Sequence, residues 1–231
     1  PPIAAYLTIP GFGEIIRQTN GSILALTYFF GILWGIGGLT YGLGVRYLGV
    51  SLGSSIILGL SSVFGALLPS IYYNFYPKEG RDSFNDIIGS SWGQVVLIGL
   101  MICVAGIFFC GKAGMMKEKD LGAKAATKES AEFKIGLGLV VSIISGILSA
   151  CFAFGIDAGK DMANEANEAW KLLHPGDGEF LFQNNVTYIV ILWGGLTTNL
   201  IWCIILNARN KTFGDYTNRK APMLSNYIFA A

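Results

Sequence analysis

The side chains that could do chemistry here are few, and most lie in stretches without charge. Thr27, Trp34 and Tyr41 recur at seven-residue intervals, so on a helix turning about 100° per residue they share one polar-aromatic line. Indole and phenol rings can stack on the C–H faces of a pyranose while their N–H and O–H groups bond its hydroxyls, so Trp34 and Tyr41 are candidate sugar-binding residues. The alternative is that Trp34 only packs in the core. Asn199, with Thr197 and Thr198 beside it, falls in the middle of another apolar stretch. Its amide needs a partner, either a neighbouring helix or a ligand hydroxyl, and Thr198 and Asn199 join the candidate set. Asp157 closes a third apolar run, three residues before Lys160. A carboxyl inside an apolar zone is costly and points to function, here the carriage of a proton. The alternative places Asp157 just outside that zone, paired with Lys160.

Several chemistries are excluded by composition. His174 is the only histidine and lies in an outer connection, so a His-based metal site or a Ser/His triad inside the membrane cannot be built from these residues. HExxH, P-loop, haem-attachment and nucleophile-elbow patterns are absent. Cys103, Cys110, Cys151 and Cys203 lie inside apolar runs without a CxxC pair and read as small packing residues. No enzyme activity, metal or cofactor is expected.

These groups must be positioned by apolar rods. Hydrophobic residues make up 52% of the 231 and charged ones only 13%, half the share of an ordinary soluble domain at about 25%. About 20 apolar residues rising about 1.5 Å each cross a hydrocarbon core of roughly 30 Å. Runs of this kind predict an all-α membrane protein, a polytopic bundle with complete spans near residues 22–45, 50–75, 91–111, 134–157 and 186–207. Residues 1–14 and 223–231 read as partial spans, so a piece of a longer membrane protein is expected. The whole stretch forms one transmembrane bundle with lipid around it. The net charge of +1 sits between the runs, with no basic stripe to bind nucleic acid.

Loop charge orients the bundle, because basic connections stay in the cytoplasm. Residues 112–133, with Lys134 beyond them, form a lysine-rich loop; Arg46 marks one short turn, and Arg209, Lys211, Arg219 and Lys220 mark another connection. These three alternate with poorer ones and are assigned to the cytoplasm. Residues 160–174 predict a short amphipathic helix on the other side, either lying at the membrane interface or solvated. Within the first full span, Gly31, Gly35, Gly38 and Gly42 fall in about 60° of arc and predict a helix-packing groove. Ser55, Gly59, Ser62 and Ala66 repeat the device, as do Gly138, Ser142, Ser145, Ser149 and Ala153.

One block is specific. Trp34-Gly-Ile-Gly37, then Tyr41-Gly-Leu43, then Arg46-Tyr-Leu-Gly49 with small residues following closely resembles the L-rhamnose–proton symporter family of the drug/metabolite transporter superfamily. Phe152-Ala153 with Ala158, Lys160 and Met162, and Gly194-Gly195 with Asn199-Leu200, agree in order. The resemblance implies a ten-helix transporter of two inverted five-helix repeats in a bacterial inner membrane, moving a sugar with a proton. The chain departs from the pattern at Gly38-Leu39 and at Asp157, where the family has Asn at each, so no coupling residue is carried over. Transport of another sugar or metabolite, or a non-transporting membrane scaffold, are the alternatives. Homo-oligomers are left open.

Overall fold

The computed structural model describes residues 2–122, 135–217 and 222–230. Residues 123–133 of the lysine-rich loop, with Lys134, and the pair Arg219-Lys220 lie outside the described residues. An all-α bundle forms, as the apolar runs predict, and five of its helices are long and apolar enough to cross a membrane. They are α3 (Gly21–Leu48), α4 (Val50–Phe75), α6 (Ser91–Gly122), α7 (Ile135–Ala158) and α9 (Asn185–Asn210). At about 1.5 Å per residue the 28 residues of α3 extend about 42 Å, more than a hydrocarbon core requires. Large apolar side chains such as Val95, Ile102, Phe108 and Phe109 on α6 are mostly exposed. In water that surface would aggregate; in lipid it needs no partner.

Short elements join the rods. Helices α1 (Pro2–Thr8) and α2 (Phe12–Gln18) replace a single partial span at the start. Gly11 adopts φ 67° between them, and Pro10 before it has no N–H to continue a helix. Asn20 caps α3 by accepting from the Ser22 N–H at 2.9 Å. Only Gly49 separates α3 from α4, at φ 79°, a turn too tight for most side chains. Helix α5 (Phe84–Gly89) opens on a capping box between Ser83 and Asp86. Helix α6 runs on past the expected end of its span, through Lys112, because residues 113–119 are mostly strong helix formers. Helix α8 (Lys160–Leu173) follows α7 almost directly, and α10 (Met223–Ala230) comes last.

The rods are ordered α9, α3, α7, α4, α6, with α7 wedged between α3 and α4. Their contacts are made by small residues, as expected where lipid gives no apolar drive to associate. Ser142, Ser145 and Ala150 of α7 are buried, and the Ser145 hydroxyl donates to Gly37 O at 2.9 Å. The first half of the apolar face of α8 is buried, whereas Leu172 and Leu173 at its end are exposed. Met162, Ala163 and Ala166 are buried, and Met162 and Ala166 pack with Ile9, Ile15, Phe180, Val186 and Ile189. Residues of α1, α2 and α9 cover that buried half.

Candidate functional site

Helices α4 and α7 end side by side, and the connection between α4 and α5 folds back across them. Pro69 interrupts the α4 hydrogen-bond ladder one turn before Tyr73. From there the Tyr73 hydroxyl donates to Asp157 Oδ2. Arg81 comes from the connection. Its Nη2 donates to the Asp157 main-chain carbonyl at 2.8 Å, and its Nε stands 3.1 Å from Asp157 Oδ1. The Arg81 side chain is 5% exposed and that of Asp157 27%, so the pair is largely withdrawn from water. Further out, Asp161 Oδ1 lies 3.8 Å from Arg81 Nη2, and its Oδ2 lies 3.7 Å from Lys78 Nζ. Lys160 does not pair with Asp157; it donates to Gly80 O at 2.7 Å and pins the same connection.

This charged cluster closes one end of a cavity of about 600 Å³. Phe30 of α3, Tyr72 and Tyr73 of α4 and Phe154 of α7 form its aromatic walls, and Leu26, Leu68 and Pro69 an apolar side. Phe30 and Phe154 hold each other with ring centroids 5.7 Å apart. A cavity of a few hundred Å³, mostly apolar with convergent polar groups at one pole, is the usual form of a small-molecule site. A second cavity, between α4 and α6, is lined only by apolar side chains such as Val63, Leu97 and Met101, and offers nothing to orient a ligand.

The other residues singled out from the sequence sit deeper and bond within the bundle. Trp34 lies one turn below Phe30, its ring against Gly195 and 5.2 Å from the Phe152 ring, which stacks in turn on Tyr188. The Tyr41 hydroxyl shares a 2.7 Å hydrogen bond with Ser54 of α4. Thr198 donates to Ile32 O of α3 at 3.2 Å, and the Asn199 amide donates to Gly195 O of its own helix at 2.8 Å. None of the four borders the cavity beside Asp157.

The glycine line divides. A Cβ on Gly31 would fall 2.2 Å from Ile191 O, and one on Gly35 2.9 Å from Gly195 Cα, so these two seat α9 by backbone contact. A Cβ on Gly38 or Gly42 would meet nothing within 4 Å among the described residues. Helix α9 crosses α3 at Gly31–Gly35 and then parts from it, which leaves Leu200, Ile201 and Trp202 exposed. Gly37 and Gly44, on the far side of α3, receive α7 instead.

Arg81 and Tyr73 were missed as site residues. In the sequence Arg81 is one cation in a polar connection, 76 residues from Asp157. The one available signal is the costly carboxyl itself, which requires a partner, and the sequence offers only the nearer Lys160 as an alternative for it.

With the geometry known, comparison with other proteins is decisive. The profile of the L-rhamnose-proton symport protein family matches residues 1–231. The chain belongs to that family. An L-rhamnose-proton symporter of Cronobacter sakazakii is 30% identical over 234 aligned residues, covering 100% of this chain. One of Yersinia pestis is 31% identical over the same length. The chain spans 62% of the length of each of these relatives. No solved structure matches it. The family is one of transporters, not enzymes, and its bacterial members together with the five apolar helices make this a multi-pass inner-membrane protein.

Proposed function

We propose that this chain forms the greater part of a secondary transporter that takes up L-rhamnose with a proton. The observation that carries the reading is Asp157, an ionisable carboxyl held by Arg81 and Tyr73 at the wall of an aromatic cavity between three spanning helices. A neutral deoxyhexose suits that lining. Its ring C–H faces lie against Phe30, Tyr72 and Phe154, its methyl group against Leu26, Leu68 and Pro69, and its hydroxyls within reach of Arg81 and Asp157.

The charge of the connections supports an orientation with Arg46 at the cytoplasm and the Asp157 end facing out. The cavity is then the outer vestibule. Trp34, Tyr41, Thr198 and Asn199 form the deeper station, reached when helices rock about the backbone contact of Gly31 and Gly35 with α9. In this arrangement their polar groups are held by Ser54, Ile32 O and Gly195 O, bonds that a sugar hydroxyl could replace. The complete transporter has ten helices in two inverted repeats, of which this chain supplies the five described spans.

The test is uptake of labelled L-rhamnose by cells carrying the whole protein, with and without a protonophore. Saturable uptake that collapses when the proton gradient is discharged is expected. Uptake that ignores the gradient, or that prefers an unrelated solute, contradicts the proposal.

A further inference from the structure

Arg81 stands between two carboxylates, and only one of them borders the cavity. Asp157 lines it; Asp161, on α8, does not, and its side chain is 44% exposed against 27% for Asp157. The contact with Asp157 is not a matched fork. Nε is buried and 3.1 Å from Oδ1, yet it lacks hydrogen-bond geometry there, and the one well-formed bond goes from Nη2 to the main-chain carbonyl. Asp161 is 3.8 Å away, so a small rotation exchanges one partner for the other. The groups that face this cluster are Tyr73 from α4, Lys78 and Arg81 from the connection, Asp157 from α7, and Lys160 and Asp161 from α8.

We propose that Arg81 is a swinging counter-ion with two stations, Asp157 at the cavity and Asp161 at its rim, and that a proton on Asp157 sends it outward. The arriving proton can sit on Oδ1, facing Arg81 Nε, or on Oδ2, where the Tyr73 hydroxyl can turn and accept it. On either oxygen it removes the attraction of opposite charges. A guanidinium withdrawn from water cannot stay there without an anion. Asp161 supplies one, and the rotation takes the Arg81 side chain, which lines the cavity, off its wall while Arg81 remains paired. The carboxylate at the rim thus makes opening depend on the proton instead of on sugar alone. Arg81 and Asp161 act here as positioning residues.

The physiological meaning rests on the symport reading, but the test needs no sugar. In the whole protein in membranes, the native cysteines are replaced and Leu68→Cys, on the cavity wall, reports its reaction rate with an impermeant maleimide at one fixed pH. Asp157→Asn, which stands for the protonated state, should raise that rate severalfold. Asp161→Asn should lower the thermal midpoint more in the Asp157→Asn background than in the wild type, because Arg81 then has no anion at either station; with Asp161→Glu in its place the rate should stay high. If Asp157→Asn leaves the rate unchanged, or if Asp161→Asn costs no more stability in the Asp157→Asn background than in the wild type, the two-station proposal is overturned. Failure of the symport reading would appear elsewhere, as wild-type cells that do not couple sugar to protons.

Discussion

Gly31→Ala is the sharpest test of how α3 and α9 are held. The new Cβ would lie 2.2 Å from Ile191 O, about 1 Å inside ordinary contact of about 3.3 Å, and that oxygen is backbone. Neither helix can turn a side chain aside, so they must separate there by roughly 1 Å. The Thr198 bond to Ile32 O, already 3.2 Å, would then pass beyond hydrogen-bond reach. Forcing extra atoms into a packed contact costs about 1–3 kcal/mol, offset by about 0.5–1 kcal/mol because Ala favours a helix over Gly. A net loss of about 1–2 kcal/mol remains. In a domain of this size 1 kcal/mol moves the midpoint by about 2–4 °C, so a fall of about 2–8 °C is expected. Gly38→Ala lies on the same arc but meets nothing within 4 Å among the described residues, and it should cost less than Gly31→Ala. The assay is thermal unfolding of the detergent-solubilised whole protein, followed by the monodisperse fraction. If Gly31→Ala costs no more than Gly38→Ala, the seating of α9 on Gly31 is wrong.

Other outcomes follow from the same contacts. Trp34→Ala should remove the ring between Gly195 and Phe152 and abolish L-rhamnose uptake while the protein still reaches the membrane; undiminished uptake would take Trp34 out of the deeper station. Tyr41→Phe should weaken the tie between α3 and α4 without loss of proton coupling, because its partner is Ser54 and not Asp157; uncoupled sugar exchange in this variant would count against the assignment. Hydrogen bonds from the Ser83 side chain, then its backbone, hold the Asp86 carboxyl below the usual carboxylate range. A lowered folded-state value means that the contribution of Asp86 to α5 is complete above an ordinary pKa of about 4 and fades as pH falls through the lowered one. Amide exchange of α5 should therefore quicken only in strong acid, and Asp86→Asn should abolish that pH dependence.

The all-α bundle was legible because each rod is set by local composition: runs without charge, closed by Gly49 or by polar connections. The break between α1 and α2 was equally local, in Pro10-Gly11, but the apolar character of the surrounding residues masked it. Which small residues touch which rod was not legible. Gly31, Gly35, Gly38 and Gly42 look alike on a wheel, and only the crossing of α9 over α3 separates the first two from the rest. The cavity shows the limit most plainly. Asp157 stood out because a carboxyl there needs a reason, whereas Arg81 reaches it from a connection whose own residues give no hint of where it folds.

The central claim is that Asp157 ties proton to sugar, and the direct measurement is external pH in a weakly buffered suspension of de-energised cells carrying the whole protein. Adding L-rhamnose should make the medium alkaline with the wild type. It should do nothing with Asp157→Asn, although that variant still exchanges labelled for unlabelled sugar. A wild-type response that survives unchanged in Asp157→Asn would mean that the proton travels by another group.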